Sequence, residues 1–294
     1  MTAAVHPAAA PLPDISKALL LVAAGGALTG FSPILVRLSE VGSLSTAGWR
    51  MAFAALAFAP FARAVTSSSR GRAPWVLVLA GLFFAVDLGF YHSSLQLTSV
   101  AHATLIVNMA PVVALAAGLI AFGERLGKLK LAALAVSVGG AALMTAGRAD
   151  VGGTLIGNSL AVAGMFGYAF YLISVKRASA QFDAATIMAW SSAVAAAALF
   201  IAAAIAGETL LPQTAYGWLV VIAMGLVTHV AGQGLVAVGM RGAPVGLASI
   251  VLFTQPVMAA FAAWVIFDET MGPVELAGVA LVLAGIALAS QSRR

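Results

Sequence analysis

The ionisable side chain that stands out in this sequence is Asp87, the one carboxylate that lies well inside a long apolar run. Phe84 and Tyr91 stand three positions before it and four positions after it. If the run is helical, the three side chains therefore share one face. A carboxylate at membrane depth is costly unless it faces water or a partner, so it is a candidate for proton transfer or ligand binding. It can also make a hydrogen bond between two packed helices, and the sequence leaves both interpretations open.

The same reasoning selects other polar or aromatic side chains inside apolar runs. These candidates are His92, Asn108, Tyr168, Tyr171, His229, Gln233 and Gln255. Asp87 and His92 are the candidates for proton coupling, which requires a titrating group in a cavity. Asn108 and Gln255 have amides that can hold the carboxylate or ammonium group of a ligand. The histidines and amides can instead make hydrogen bonds between packed helices.

The two tyrosines and one arginine, Arg50, carry further expectations. Tyr168 and Tyr171 are three apart in the middle of an apolar run, where a hydroxyl that faced lipid would be costly, so we expect both to line a cavity. Arg50 stands near the start of another run. We expect it to reach the membrane surface or to pair with Glu40, and not to bind a ligand.

Composition indicates where these residues are held. The chain has 294 residues, of which 62% are hydrophobic and 9% are charged, and its mean hydropathy is +1.04. Such a chain has too little polar surface for a soluble globule, and its length suffices for about ten helical crossings of roughly 20 residues each. We predict an all-α integral membrane protein that contacts the lipid bilayer. The basic residues are scattered singly, which argues against nucleic-acid binding, and the absence of cysteine excludes thiolate chemistry.

Ten apolar runs predict ten transmembrane helices. They span about residues 18–38, 45–61, 74–97, 102–122, 131–146, 155–175, 184–206, 216–240, 244–267 and 273–290. The first run is preceded by a proline- and alanine-rich stretch with no basic residue before Lys17, so we interpret it as an uncleaved helix and not as a signal peptide. Pro33 predicts a kink in this helix that faces the interior.

The chain also repeats itself with a shift of 145 residues, which carries Pro111 onto Pro256 and Glu124 onto Glu269. The predicted organisation is a tail at 1–14, a first repeat at 15–147, a connecting loop at 148–153, a second repeat at 154–291 and a tail at 292–294. Since each repeat has five helices, an odd number, the two must be inverted in the membrane.

The repeat also predicts where the binding site lies. The shift carries Phe84 onto His229 and Leu88 onto Gln233. Two related helices thus present polar and aromatic groups at equivalent positions. We therefore expect these side chains to line a central cavity where the halves meet.

Glycines in the second half recur at fixed intervals. Gly225, Gly232, Gly239 and Gly246 follow one another every seven residues, and Gly278 and Gly285 do the same in the last run. Small residues on one face allow close helix packing, which we expect here.

Basic residues predict the orientation. With the N-terminus in the cytoplasm, twelve of the fifteen Lys and Arg residues fall on the inner side. The three on the outer side are Arg37, Arg50 and Arg148. By the positive-inside rule, both termini are predicted to be cytoplasmic.

The repeated motifs resemble those of a known family. Met109-Ala110-Pro111 with Gly123-Glu124, and Gln255-Pro256 with Asp268-Glu269, are similar to the motifs of the EamA-type exporters of the drug/metabolite transporter superfamily. The resemblance covers about residues 17–290. Within this superfamily the chain looks most like the bacterial exporters of aromatic and other hydrophobic amino acids.

The resemblance implies a secondary transporter of the bacterial inner membrane that exports small organic solutes, foremost amino acids, by alternating access. It implies no cofactor and no metal, and one chain suffices to form the cavity. The alternative within the superfamily is an exporter of drugs or other metabolites. The sequence has no Gly-rich phosphate-binding loop with Lys-Ser/Thr, so ATP is not the direct energy source. Proton antiport and facilitated diffusion both remain open.

An intramembrane enzyme or a channel would belong to a different class. The sequence has no His-Glu-x-x-His motif. Ser93 beside His92 would point about 100° away from it on a helix, so the two cannot form a catalytic dyad. No ring of like charges or carbonyl-filter motif indicates a channel.

Overall fold

All regular secondary structure in the described part of the chain is helical. The computed structural model describes residues 14–62, 74–98, 100–110, 112–114, 127–146, 154–267 and 271–291. Several predicted features lie outside these residues: the tail before Asp14, the loop around Arg70, Pro111, and the motifs Gly123-Glu124 and Asp268-Glu269.

The helices follow the predicted runs closely. In chain order they are α1 Ile15–Thr29, α2 Ser32–Arg37, α3 Ser43–Phe58, α4 Trp75–Leu97, α5 Val100–Val107, α6 Lys128–Ala146, α7 Leu155–Ala178, α8 Ala184–Ile205, α9 Ala215–Gly242, α10 Val245–Val251, α11 Thr254–Phe267 and α12 Pro273–Gln291. Side chains cap the starts of α1, α7, α8 and α9: Asp14, Thr154, Asp183 and Thr214 each accept a backbone N–H of the first turn.

Within the described residues, six helical segments are long and apolar enough to cross a membrane. They are Ile15–Arg37, Trp75–Leu97, Leu155–Ala178, Ala184–Ile205, Ala215–Gly242 and Leu247–Ile266. Large apolar side chains such as Leu20, Ile201 and Leu219 are exposed on their outer surface, where acyl chains rather than water can cover them. The prediction of an all-α, multi-pass membrane protein is thus confirmed.

Among the described residues, prolines follow the break between α1 and α2 and the break between α10 and α11. Pro33 lies in the first turn of α2, after a break at Gly30–Phe31, so the predicted kink is confirmed. Pro256 has no N–H to offer the carbonyl of Leu252 and its ring crowds that carbonyl. The helix breaks there, between α10 and α11. The predicted span over 244–267 therefore consists of two helices, α10 and α11, within the apolar segment Leu247–Ile266.

Glycines bring helices into close contact, as predicted. A Cβ atom added to Gly239 would lie 2.6 Å from the Ala18 carbonyl oxygen, so α9 approaches α1 backbone to backbone. A Cβ at Gly140 would lie 2.7 Å from the Gly278 oxygen, which shows the same closeness between α6 and α12. In the remaining pairs, α4 packs on α7 and on α8, and α3 packs on α8. These contacts surround the centre of the molecule with α1, α3, α4, α7 and α9.

Two loops at one end of the bundle cap each other's helices. Glu208, which follows α8, accepts the backbone N–H groups of Leu44 at 3.2 Å and Ser45 at 2.8 Å at the start of α3. Glu40, which precedes α3, accepts the backbone N–H of Thr214 at 3.2 Å and also its hydroxyl at the start of α9. A carboxylate stabilises a helix N-terminus because it satisfies free N–H groups and opposes the helix dipole. Each loop therefore supplies a glutamate that caps the helix beginning at the other loop, and these hydrogen bonds hold the two loops together.

Candidate functional site

The broken helices meet at a central cavity. Its lining comes from α1 to α5, α7, α9 and α11 and from the breaks between helices. The space between these side chains is about 530 Å³, including the part that opens outward. Asn108 lies at the break after α5, and Gln255 in the first turn of α11 after the second break; both line the cavity. Helix breaks at membrane depth are tolerated where they face a cavity, and in transporters they mark binding sites.

Aromatic rings form one wall of the cavity and the layer behind it. Phe84 in α4 lines the cavity, and its ring centroid is 4.1 Å from that of Tyr171 in a stacked arrangement. The His229 ring is 5.2 Å from Phe84 on another side. Tyr168, stacked at 6.3 Å, lines the cavity beside it. This wall offers an apolar, flat surface to a ligand side chain.

Next to the aromatic wall, two amides converge on one hydroxyl. The Tyr168 oxygen accepts hydrogen bonds from Nε2 of Gln233 at 3.2 Å and from Nε2 of Gln255 at 3.1 Å. The side-chain oxygen of Gln233 is buried and has no hydrogen-bond partner. The cluster thus fixes both amides while leaving an acceptor unused, and a ligand that donates a hydrogen bond can satisfy it.

Arg50 belongs to the cavity and does not reach the membrane surface, contrary to the expectation from its place in the sequence. Its side chain is only 4% exposed, its Nη1 donates to the Ser32 hydroxyl at 3.0 Å, and its guanidinium carbon lies 5.7 Å from the centre of the Phe84 ring. The predicted pairing with Glu40 is wrong, because Glu40 caps α9 instead. The sequence does contain one indication that Arg50 has no acidic partner in its own helix, because no acid lies within one helical turn of it in α3.

Asp87 lies in the same cavity as Arg50. Its side chain is 4% exposed, and its Oδ1 is buried without a hydrogen-bond partner. Asp87 and Arg50 interact electrostatically but make no direct ion pair. One turn away, the Tyr91 hydroxyl, which also lines the cavity, is 3.2 Å from the Thr104 hydroxyl of α5. The charged groups are therefore held by helix packing and not by each other.

The cavity brings together seven of the ten predicted residues. They are Phe84, Asp87, Tyr91, Asn108, Tyr168, Gln233 and Gln255. His92, Tyr171 and His229 do not line it. The Nδ1 of His92 lies 3.0 Å from the Ser43 carbonyl oxygen, and the Nε2 of His229 lies 3.0 Å from the Ser192 hydroxyl. For these two histidines the contacts with Ser43 and Ser192 fit the packing interpretation, and a role in ligand binding stays a prediction.

A stretch of π-helix shapes this side of the site. Residues Met224–Gln233 of α9 are π-helical, whereas the flanking parts of α9 are α-helical. A π-helix is wider than an α-helix, is rare in proteins, and frequently occurs at functional sites. Here it carries Gln233 into the cavity and His229 behind Phe84. The periodicity of the sequence gave no signal for it.

A second space adjoins the central cavity. It is lined by α2, the start of α3 and the end of α4, and it measures about 790 Å³ including its open part. Pro33 borders both spaces. Hydroxyl and amide side chains, those of Ser39, Thr46 and Gln96, face it. We call this second space the vestibule; its lining residues Ser39, Val41 and Ser43 are neighbours in sequence of Glu40.

The side chains in the described residues suit the binding of an organic solute. Within these ranges no group of three or more His, Cys, Asp and Glu residues could hold a metal ion. What the cavity does present is one cation, one anion, three amides and aromatic surface. These are the groups with which proteins orient small polar ligands that also have an apolar part.

Comparisons with known proteins identify relatives along nearly the whole chain. The model of the EamA-like transporter family matches residues 16–146 and again residues 155–291. An uncharacterized transporter from Archaeoglobus fulgidus is 27% identical over 262 residues, which cover 89% of this chain and 92% of that protein. A chloroplastic WAT1-related protein from Arabidopsis thaliana is 30% identical over 95 residues, 32% of this chain and 23% of that protein.

A solved structure shares the fold. A crystal structure superimposes on this chain with a TM-score of 0.80 at 19% sequence identity, covering 94% of this chain and 97% of its own. At this level of identity the likeness concerns the fold alone. The arrangement of helices around the central cavity therefore has a counterpart in an experimental structure.

Proposed function

We propose, on the premise that this chain belongs to the EamA-like transporter family, that it is a secondary carrier exporting amino acids with aromatic or other apolar side chains. The observation that carries this proposal is the central cavity, which the amides of Asn108 and Gln255, both close to helix breaks, line together with the ring of Phe84. Amides and charges suit an amino acid head group. The aromatic wall suits its side chain.

The proposed architecture is ten spans in two inverted five-helix repeats. It is supported by the pairing of α6 with α12. A Cβ at Gly140 would meet the oxygen of Gly278 at 2.7 Å, and one at Gly285 would meet the oxygen of Ala133 at 2.8 Å. The shift of 145 residues exchanges these two contacts, because it carries Gly140 onto Gly285 and Ala133 onto Gly278. A contact that maps onto itself between antiparallel helices is what a two-fold axis in the membrane plane produces.

Alternating access follows from this symmetry. Two inverted halves can rock about the fixed central cavity, so that it opens first to one side and then to the other. The glycine-lined contacts of α1 with α9 and of α6 with α12 are flat enough for such sliding. We propose that the protein lies in the bacterial inner membrane with both termini in the cytoplasm. In that orientation the vestibule is the exit path to the outside.

The direct test is counterflow in liposomes that contain the purified protein. Vesicles loaded with unlabelled phenylalanine should accumulate labelled phenylalanine transiently, with saturation, and leucine should compete better than glycine or glutamate. A channel would give no counterflow, and an enzyme would convert the label into another compound. If no amino acid exchanges, the substrate proposal is wrong and the drug or metabolite alternative replaces it.

Proton coupling is a separate part of the proposal. It requires a titrating group that faces the cavity, and Asp87 meets this requirement whereas His92 does not. A pH gradient should stimulate export, and Asp87→Asn should remove the stimulation while counterflow continues at a raised phenylalanine concentration. Equal rates with and without the gradient in the unaltered protein would identify a facilitator.

A further inference from the structure

We propose that Arg50 and Asp87 bind the two charges of a zwitterionic substrate, with Arg50 holding the carboxylate and Asp87 the ammonium group. The inference rests on the proposed function and deepens it, because it states how an amino acid is distinguished from solutes that have one charge or none. It also gives a role to Arg50, which the sequence analysis had placed outside the site.

The first observation is that two opposite charges face one cavity without pairing. Arg50 in α3 and Asp87 in α4 both line it, and each is 4% exposed. They are near enough to interact electrostatically, yet they form no ion pair. Two buried charges that serve only stability normally pair directly, since each unpaired charge keeps its desolvation cost. A gap between them leaves room for a group that carries both opposite charges.

The second observation is that both side chains have unused hydrogen-bonding atoms. The Nε of Arg50 and the Oδ1 of Asp87 are buried and have no partner. Only Nη1 of Arg50 is engaged, by the Ser32 hydroxyl, which fixes the guanidinium without covering its other donors. A guanidinium presents its N–H groups in a fork that matches a carboxylate. The free carboxylate oxygen of Asp87 matches an ammonium donor in the same way.

The third observation is the placement of the apolar wall relative to these charges. The Arg50 guanidinium lies over the Phe84 ring, 5.7 Å from its centre. Phe84 is one turn before Asp87 on the same face of α4. A head group held between the two charges therefore has an aromatic surface beside it. Leu88, Val107 and Ala259 continue the apolar lining, so the substrate side chain lies among them.

Specificity follows from what a wrong ligand leaves unpaired. A ligand with only an ammonium group satisfies Asp87 but leaves Arg50 buried without a counter-ion. A ligand with only a carboxylate does the opposite. In both cases a desolvated charge remains alone, which is a strong selection against the ligand.

The test uses three ligands that share one ring and differ in charge. Phenylalanine has both charges, phenethylamine has only the ammonium group, and 3-phenylpropionate has only the carboxylate. Each competes in counterflow of labelled phenylalanine into liposomes containing the full-length protein, for the unaltered chain, Arg50→Gln, Arg50→Lys and Asp87→Asn. The matched control is Arg177→Gln, which removes an exposed arginine at the end of α7.

We expect both single-charge ligands to compete at least about tenfold more weakly than phenylalanine in the unaltered protein. Arg50→Gln should weaken phenylalanine and 3-phenylpropionate by about tenfold or more and leave phenethylamine unchanged. Asp87→Asn should weaken phenylalanine and phenethylamine and leave 3-phenylpropionate unchanged. Arg50→Lys should restore part of the carboxylate affinity, and Arg177→Gln should behave as the unaltered protein. A general loss of packing cannot produce this crossed pattern.

The two proposals fail in different ways. If phenylalanine exchanges and both single-charge ligands compete equally well with it, the carrier stands and the zwitterion assignment is overturned. This comparison needs only the unaltered protein, so it holds even if a variant does not fold. If no amino acid exchanges while another solute does, the proposed function is wrong and the zwitterion assignment falls with it.

Discussion

The hydroxyl of Tyr168 provides a sharp test of how the cavity is held together. Tyr168→Phe removes a single oxygen and keeps the ring that stacks near Phe84. That oxygen is the acceptor for the side-chain amides of Gln233, at 3.2 Å, and Gln255, at 3.1 Å. The substitution therefore leaves two amide donors without this partner and changes little in volume.

The expected cost depends on which amide water can reach. Gln233 is 3% exposed, so its amide loses its partner outright, which costs about 1–3 kcal/mol. Gln255 is half-buried on the cavity wall, where a water molecule can replace the lost acceptor at little cost. We expect Tyr168→Phe to lower the free energy of unfolding by about 1–3 kcal/mol, and not by the sum for two orphaned donors.

Tyr171→Phe is the matched control, since Tyr171 lies in the same helix one turn further on. Its hydroxyl donates only to the Met188 sulfur, at 3.7 Å, and sulfur is a weak acceptor. This variant should lose less than about 1 kcal/mol. Both variants would be unfolded at equilibrium in mixed detergent micelles and followed by circular dichroism. Equal stabilities of the two variants would refute the assignment of Tyr168 as the acceptor that holds both amides.

Three further predictions test the packing, the loops and the orientation. Gly140→Leu should prevent a monodisperse preparation, because its Cβ would press on the backbone of α12. Gly139→Leu is the control and should be tolerated, since a Cβ at Gly139 meets nothing within 4 Å. Size-exclusion chromatography compares the two variants. Glu208→Ala removes the acceptor of two backbone N–H groups at the start of α3 and should cost about 1–2 kcal/mol in the same unfolding assay; unchanged stability would show that these bonds contribute nothing. Because the chain has no cysteine, the single-cysteine variants Gln213→Cys and Ala180→Cys report orientation without background labelling. On intact cells a membrane-impermeant maleimide should label Gln213→Cys and not Ala180→Cys. The reverse pattern would invert the proposed topology.

Much of the cavity could be predicted because it depends on helical periodicity. Phe84, Asp87 and Tyr91 follow helical spacing, and the structure places them on one wall. The internal repeat, which carries Leu88 onto Gln233, located Gln233 by the same geometry. Helix bounds agreed within a few residues, because apolar length alone determines them in a membrane.

The features that escaped prediction depend on contacts between distant segments. Arg50 donates a hydrogen bond to the hydroxyl of Ser32, which lies in a different helix, α2. The acid nearest to Arg50 in sequence, Glu40, instead accepts the backbone N–H of Thr214. Similarly, His229 has the right register for the cavity, but the π-helical turns of α9 and its bond with Ser192 place it behind Phe84. The periodicity of apolar residues in the sequence indicates neither the π-helical turns nor the hydrogen-bond partners Ser32, Thr214 and Ser192.

The reciprocal carboxylates on the loops have a consequence for the synthesis of the chain. Leu44 and Glu208 are 164 positions apart, and Glu40 and Thr214 are 174 apart. A ribosome that adds about 5–20 residues per second therefore leaves the start of α3 without Glu208 for roughly 8–30 seconds after α3 has emerged. During that interval the first half exposes a helix end that its own sequence does not complete. The nascent first half therefore lacks the acceptor for two backbone N–H groups of α3 until Glu208 has been synthesised.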